Sequence, residues 1–250
     1  MLLIRNGLII PSELWHAESG SRLGLVFGIT VAFALGGYLV RGVSRAGAVA
    51  GASVCFALFW GAGPGAFLGL LSLFGLTWAA TRTGLSTRRS RETGREARNA
   101  SQVLANVGIA ALCALGYGLI REPWLLLAMS AALAEPAADT VSSECGQAFS
   151  QRVFLITNLE RVAAGTDGGV SVAGTLCGAV AAFLVGAVCV LGCGLPQKWI
   201  WISTAAGIAG MVADSYLGAL LERRGRLGND AVNFLGTLMA AIVAVAVEKL

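Results

Sequence analysis

Three aspartates stand in or beside apolar, helix-length segments of the chain: Asp139, Asp167 and Asp214. A carboxylate in or next to hydrocarbon is costly, so it is usually paired, hydrated or bound to a cation. Carboxylates are the hard oxygen ligands that suit magnesium, whose coordination is commonly completed by substrate phosphates. If the three side chains meet at one membrane face, they form a site for a metal-bound phosphate.

Glu144 is a fourth candidate acid, at the end of the segment Asp139-Thr140-Val141-Ser142-Ser143-Glu144. A continuous helix would not align two carboxylates five residues apart. We therefore expect a helix that ends near Asp139 and a chain that folds Glu144 back. The alternative is a helix C-terminus with a solvated acidic turn. Glu135 precedes Pro136, and we interpret it only as the mark of a kinked or water-facing turn in a helix.

A glycine-rich run, Gly165-Thr166-Asp167-Gly168-Gly169-Val170-Ser171, precedes an apolar segment. Glycine allows positive φ angles and leaves amide N–H groups exposed, and such donors before a helix N-terminus form a phosphate site. Asp167 is placed to ligate a metal ion on that phosphate. The alternative is a turn in which Thr166 or Asp167 caps the helix. The Gly-Lys-Ser/Thr element is absent, so the run is not a Walker A motif.

The loop 82–98 carries six arginines against Glu92 and Glu96. One interpretation is anchoring to anionic lipid headgroups. The other is charge compensation of a polyanionic substrate such as a nucleoside triphosphate. Arg82 and Arg98 lie nearest the bilayer and are the candidates for phosphate contact.

Composition assigns these motifs to a membrane protein. Hydrophobic residues make up 56% of the chain, charged residues 13%, and the mean hydropathy is +0.74, which excludes an ordinary soluble domain. No CxxC pair occurs and His16 is the only histidine, so no zinc site is expected. No cleavable signal peptide is expected, because Arg5 and Pro11 interrupt the first apolar stretch.

The elements that must position the candidate residues are membrane-spanning helices of about 20 residues. Apolar stretches predict about eight of them, at 22–40, 46–61, 64–80, 100–120, 123–140, 170–194, 198–221 and 231–248. The second and third would form a hairpin joined at Gly63-Pro64. The prediction is an all-α, polytopic single membrane domain over 1–250. It comprises N-terminal helices in 1–80, a basic cytoplasmic loop in 81–99, and catalytic helices and loops in 100–250.

Basic residues orient these helices. With both termini outside, thirteen Lys and Arg fall on the inner side and five on the outer side. The same orientation brings Asp139, the loop 141–169 and Asp214 to the inner side, with Asn106 and Asn233 within two helical turns of it. The sequence therefore predicts active-site loops at the cytoplasmic face.

Several segments between residues 80 and 240 resemble the transmembrane protein 19 / phytyl-phosphate kinase family of integral membrane proteins, long catalogued as a domain of unknown function. The resembling stretches are Arg98-Asn99, Gln102 to Asn106, Asp139-Thr140, Ser143 to Gly146, Leu155 to Thr157, Gly165 to Ser171, Gly174-Thr175, Val212 to Ala219, Asn229 and Val232-Asn233. The family is distantly similar to dolichol kinase and CDP-diacylglycerol synthase.

The resemblance implies a magnesium-dependent kinase. It would transfer a phosphoryl group from a nucleoside triphosphate, CTP favoured, to an isoprenyl monophosphate such as phytyl phosphate. The implied magnesium ligands, for one or two ions, are Asp139, Asp167, Asp214 and Glu144. The implied phosphate-binding groups are Gly165, Thr166, Gly168, Gly169 and Ser171, with Arg82, Arg98, Asn106 and Asn233 neutralising charge or orienting ligands.

Two alternatives remain, a cytidylyltransferase acting on a lipid phosphate and a lipid or isoprenoid-phosphate transporter. Polar residues gathered at one interface favour an enzyme, because transporters usually place such groups near the bilayer midplane. The expected partners are a nucleoside triphosphate, an isoprenyl phosphate lipid and membrane lipids; no nucleic-acid partner is expected, and a homodimer is left open. The expected location is a bacterial-type inner membrane, with the active site facing the cytoplasm.

Overall fold

A computed structural model describes residues 19–82 and 97–250. Within these ranges the chain forms α1 (Ser19–Leu39), α2 (Arg45–Ala62), α3 (Pro64–Arg82), α4 (Ala100–Ile120), α5 (Trp124–Phe149), α6 (Val172–Gly192), α7 (Lys198–Leu217) and α8 (Asn229–Glu248). Among the described residues, six helices are long and apolar enough to cross a membrane: α2, α3, α4, α6, α8, and α7 extended to Glu222. With the shorter apolar helix Leu23–Leu39, they confirm the predicted all-α polytopic fold. Arg5, Pro11 and the loop arginines Arg88, Arg89, Arg91 and Arg95 lie outside the described residues.

α5 is the central helix of the bundle. It packs against α3, α4, α6, α7 and α8. Every residue from Leu125 to Ala138 is buried, as in a helix that is surrounded on all sides. Many of these residues are alanines, which let the neighbouring backbones approach closely. The candidate acids of α5 are thus held by a rigid element.

Helix ends alternate between the two ends of the bundle. α2 stops at Ala62 and α3 starts at Pro64, with Gly63 at φ 85° between them, so the predicted hairpin is confirmed. A Cβ on Gly178, near the start of α6, would lie 2.7 Å from the carbonyl oxygen of Ala138 in α5. Val43, just before α2, pairs with Arg98, just before α4. The starts of α2, α4 and α6 and the end of α5 therefore share one end, which we call the site end.

α5 runs to Phe149, so the prediction of a fifth span that stops near Asp139 is wrong. Pro136 lies inside the helix and does not end it. Five residues of a continuous helix rotate a side chain by about 140° relative to its starting direction. Glu144 therefore does not fold back onto the Asp139 side. With 1% exposure, it does not lie in a solvated turn either.

The segment between α5 and α6 contains a small antiparallel sheet that the sequence did not predict. β1 (Val153–Leu155) lies between β2 (Arg161–Val162) and β3 (Gly169–Val170). Phe154 pairs with Arg161 on one side and Val170 on the other. The sheet fixes both ends of the connection 163–168, and so it positions the glycine-rich turn.

Candidate active site

One cavity at the site end is lined by all three predicted aspartates, and its volume is about 170 Å³. Asp139 comes from α5, Asp167 from the connection between β2 and β3, and Asp214 from α7. We call this space the carboxylate cavity. Three acids from distant parts of the chain therefore surround a single space, as the sequence predicted.

Asp214 is a carboxylate of this cavity with an unpartnered oxygen. Its Oδ2 atom is buried and makes no hydrogen bond within the described residues. A buried carboxylate oxygen without a donor is costly, and a bound cation offsets that cost. The Asp214 position therefore fits a metal ligand.

The acids do not form a complete metal cage on their own. In residues 19–82 and 97–250, no group of three His, Cys, Asp or Glu side chains lies close enough to hold one ion. Magnesium commonly binds one or two carboxylates and takes its remaining ligands from water and substrate phosphates. The donor set fits that mode of binding. A cage built from Asp139, Asp167, Asp214 and Glu144 together is not formed.

The glycine-rich turn closes one side of the carboxylate cavity. Gly165 and Gly168 have φ angles of 83° and 75°, which favour glycine. The Gly169 amide donates to the Thr166 carbonyl at 2.8 Å, and the Thr166 hydroxyl donates to the Ala163 carbonyl at 2.7 Å. The Thr166 hydroxyl is thus already engaged within the turn.

Three backbone amides of the turn are candidate donors to an anion. Those of Gly165, Asp167 and Gly168 donate to no backbone carbonyl in the part of the chain that the structure describes. The residues Gly165 to Ser171 all line the carboxylate cavity. The turn can therefore act as a cradle of N–H donors next to the acids.

Ser171 is the N-cap of α6, so the alternative with Thr166 or Asp167 as the cap is wrong. The Ser171 hydroxyl oxygen accepts hydrogen bonds from the Gly174 amide at 3.1 Å and the Ser150 hydroxyl at 2.8 Å. Its own proton remains available for an acceptor in the cavity. Ser171 thus has a structural role in addition to any contact with phosphate.

A second polar cavity of about 200 Å³ adjoins the first, and we call it the arginine cavity. The two share Asp139, Ser143, Asn229 and Asn233 as lining residues. The arginine cavity adds Arg98, Gln102, Asn106, Thr140 and Glu144. Arg98 Nη2 donates to the Thr140 hydroxyl oxygen at 3.4 Å, and the side-chain Nδ2 of Asn106 donates to the Gln102 backbone carbonyl at 2.7 Å. One cation thus stands beside the acids, with two asparagines between them.

Arg82, the other predicted phosphate ligand, lines neither cavity. Its Nη2 donates to the Val40 carbonyl at 2.6 Å, and its guanidinium lies 5.8 Å from the centre of the Trp78 ring. These contacts hold it in a neighbouring cleft with Tyr38 and Arg41. Arg98 lines this cleft as well, so of the two predicted arginines only Arg98 also lines the arginine cavity.

The family described as integral membrane protein DUF92 matches residues 28–241. The chain belongs to this family. The match confirms the family resemblance found in the sequence.

Relatives of this DUF92 chain include proteins of an archaeon, a cyanobacterium and a plant. An uncharacterized membrane protein of Methanocaldococcus jannaschii is 38% identical, over 71% of this chain and 74% of its own. One from Synechocystis is 36% identical, over 73% of each chain. The chloroplastic protein VTE6 of Arabidopsis thaliana is 29% identical, over 84% of this chain and 67% of its own. No solved structure matches.

Glu135 also lies near the site, although the sequence analysis assigned it no functional role. Glu135 is 1% exposed, and its Oε1 has no hydrogen-bond partner among the described residues, so the water-facing interpretation is wrong. A Cβ on Gly236 would lie 2.7 Å from that oxygen and 3.5 Å from the Cβ of Asp214. Glu135 precedes Asp139 by four residues and so shares its helix face, a spacing visible in the sequence.

Glu222 and Asn229 are further lining residues that the sequence analysis did not select. Gly218–Glu222 is a π-helical turn that continues α7, and both Gly218 and Glu222 line the carboxylate cavity. Short π-helical insertions rotate the following residues around the axis and are frequent at functional sites. Hydrophobic periodicity does not reveal such an insertion.

Proposed function

We propose that this chain is a membrane phosphotransferase. It moves the terminal phosphoryl group of a nucleoside triphosphate, with CTP favoured, to an isoprenyl monophosphate such as phytyl phosphate. The supporting observation is a single cavity that combines Asp139, Asp167 and Asp214 with a turn of available amides and adjoins Arg98. The resemblance of these same segments to the phytyl-phosphate kinase family supports the substrate class.

Magnesium is the proposed cofactor. Asp214, with Asp139 or Asp167, would hold it, because the buried Asp214 oxygen lacks a donor and these acids line the same cavity. When bound, the ion would neutralise charge on the donor phosphates. Glu144 lines only the arginine cavity and would act on that side.

The reaction we propose is an in-line displacement at the γ-phosphorus of the donor. An oxygen of the acceptor monophosphate forms the new P–O bond, the bond to the β–γ bridging oxygen breaks, and the nucleoside diphosphate leaves. The acceptor phosphate is already ionised near neutral pH, so no side chain has to remove a proton. The chain's task is therefore to position two phosphates and offset their repulsion.

Each part of the site has a role in that task. The amides of Gly165, Asp167 and Gly168 would hold the donor phosphates, with the Ser171 hydroxyl beside them. Arg98 would face the acceptor phosphate in the arginine cavity. Asn233 lines both cavities and would orient the groups that meet between them. We further propose that the site end faces the cytoplasm of a bacterial-type inner membrane, where nucleotides are available.

The test uses purified protein in detergent with magnesium, each nucleoside triphosphate, and phytyl, geranylgeranyl or undecaprenyl phosphate. We expect label from the γ-phosphate in the lipid product, with a loss of about 100-fold or more in Asp139→Asn and Asp214→Asn. Failure of every donor and acceptor pair, or equal turnover by both variants, would contradict the proposal. Label from the α-phosphate would instead indicate a cytidylyltransferase, and lipid-phosphate flux across vesicles without nucleotide would indicate a transporter.

A further inference from the structure

An apolar crevice lies between the first five helices. Its wall includes Phe33 and Gly37 of α1, Gly51 and Val54 of α2, Phe74 of α3 and Val103 of α4. We infer that this crevice binds the phosphate-proximal isoprene units of the acceptor lipid. The inference rests on the proposed function, because it assigns the place of the substrate tail in that reaction.

The lining selects hydrocarbon. Apart from Arg98, Gln102, Asn106 and Thr77, every lining side chain is aliphatic, aromatic, proline or glycine. The Thr77 hydroxyl donates to the Phe74 backbone carbonyl at 3.2 Å, and the side-chain Nδ2 of Asn106 donates to the Gln102 backbone carbonyl. These groups are satisfied within their own helices. A nucleotide base or sugar would leave its polar atoms unpaired here, whereas an isoprene unit would not.

The crevice leads to the reaction site. Arg98, Gln102 and Asn106 line both the crevice and the arginine cavity. The arginine cavity in turn shares Asp139 and Asn233 with the carboxylate cavity. A molecule with its tail in the crevice therefore has its head beside Arg98 and directed toward the acids. A prenyl monophosphate has this polarity, with a single anionic end on a hydrocarbon chain.

The size of the crevice limits how much tail it can hold. Its volume is about 70 Å³. One water molecule takes up roughly 10 to 15 Å³ of a volume measured in this way. Only the first few carbons of a long chain fit, and the rest must continue into the bilayer. The crevice therefore recognises the beginning of the tail and is insensitive to its total length.

Gly51 is the position from which this space can be filled. Gly51 lines the crevice, and a Cβ there would have no atom within 4 Å, so a larger side chain is accommodated without a backbone clash. Gly108 of α4 is also half-buried and also has open space around a Cβ, but it does not line the crevice. The two glycines form a matched pair for a leucine substitution.

The kinetic test compares Gly51→Leu with Gly108→Leu. We expect Gly51→Leu to raise the KM for geranyl and geranylgeranyl phosphate by a similar factor of about tenfold or more, because a filled pocket excludes the first isoprene unit of both. The KM for the nucleotide should not change, and Gly108→Leu should behave as wild type. An unchanged acceptor KM in Gly51→Leu, or an effect confined to the longer lipid, would overturn the inference.

The binding test needs no turnover. Geranylgeranyl monophosphate with a diazirine on its first isoprene unit is cross-linked to the full chain without nucleotide, and labelled peptides are mapped by mass spectrometry. We expect label within residues 33–54 and 102–107, and less of it in Gly51→Leu. Label only on α6, α7 or α8 would show that the crevice is not the tail site, even if phosphoryl transfer occurs. Label in the crevice without transfer from any nucleotide would leave the tail site standing and refute the kinase.

Discussion

Gly168 lies so close to the backbone of Ser215 that a Cβ on Gly168 would be 2.7 Å from the Ser215 carbonyl oxygen. This contact joins the turn that carries Asp167 to the helix that carries Asp214. A Cβ on Gly218 would in turn lie 3.1 Å from the Gly168 amide nitrogen. The relative position of the two aspartates therefore depends on having no side chain at residue 168.

Gly168→Ala should move the turn away from α7. The substitution combines an unfavourable φ of 75° with a steric clash, and we expect a loss of about 2 kcal/mol or more in the free energy of unfolding. Thermal unfolding in detergent measures this loss, and phosphoryl transfer should fall with it. Gly225→Ala is the control, because Gly225 has a similar φ of 68° and open space around a Cβ. Equal effects of the two variants would show that the contact with Ser215 is unimportant.

Asp214→Asn should separate activity from stability. The amide is isosteric and uncharged, so it removes the cost of a buried carboxylate whose Oδ2 lacks a partner within the described chain. We expect an unfolding temperature equal to or higher than that of wild type in the absence of magnesium, together with a loss of activity. A clear drop in unfolding temperature would mean that the carboxylate has a structural partner.

Magnesium should stabilise the wild-type protein, because a ligand that binds only the folded state adds about 1.4 kcal/mol at ten times its Kd. The effect should be larger with a non-hydrolysable nucleoside triphosphate, since the described acids do not form a complete cage. The measurement is the unfolding temperature across a magnesium titration. Asp214→Asn should show little of this shift, and a shift as large as that of wild type would refute its role as a metal ligand.

Arg98→Ala and Arg82→Ala should differ in their kinetics. Arg98 lines the arginine cavity, whereas Arg82 lines only the neighbouring cleft, where the Val40 carbonyl and the Trp78 ring hold it. We expect kcat/KM for the acceptor to fall by about 100-fold in Arg98→Ala, in line with the loss of a charged hydrogen bond to phosphate. Arg82→Ala should stay within a few-fold of wild type. The opposite order would place the acceptor phosphate in the Arg82 cleft.

Gly236→Ala should disturb the site through Glu135. The added methyl group would lie 2.7 Å from Glu135 Oε1, and the 1% exposure of Glu135 leaves that side chain little room to move. A double-mutant cycle with Glu135→Ala should give a coupling energy of about 1 kcal/mol or more in unfolding. Additive effects would show that the two residues do not interact. Gly108→Ala, whose Cβ has open space, serves as the control for adding a methyl group to a helix.

Much of the fold followed from local patterns. Apolar length predicted the membrane helices, and Gly63-Pro64 predicted the α2–α3 hairpin, because glycine and proline punctuate helices in a recognisable way. The predicted end of α5 was wrong. The polar residues after Asp139 indicated a loop, but they continue as helix packed against α6. Polarity alone does not distinguish a loop from a helix whose polar side chains line a cavity.

By itself, the sequence determined that Asp139, Asp167 and Asp214 are costly groups that need compensation, because the cost of a carboxylate beside hydrocarbon depends on residue type and surroundings alone. Only the tertiary structure decided which other residues accompany them. It brought Glu135 close to Asp214, placed Glu144 and Arg98 in the lining of one cavity, and left Arg82 outside both polar cavities. These outcomes depend on helix rotation and on contacts between elements distant in the chain, which no local pattern of residues encodes.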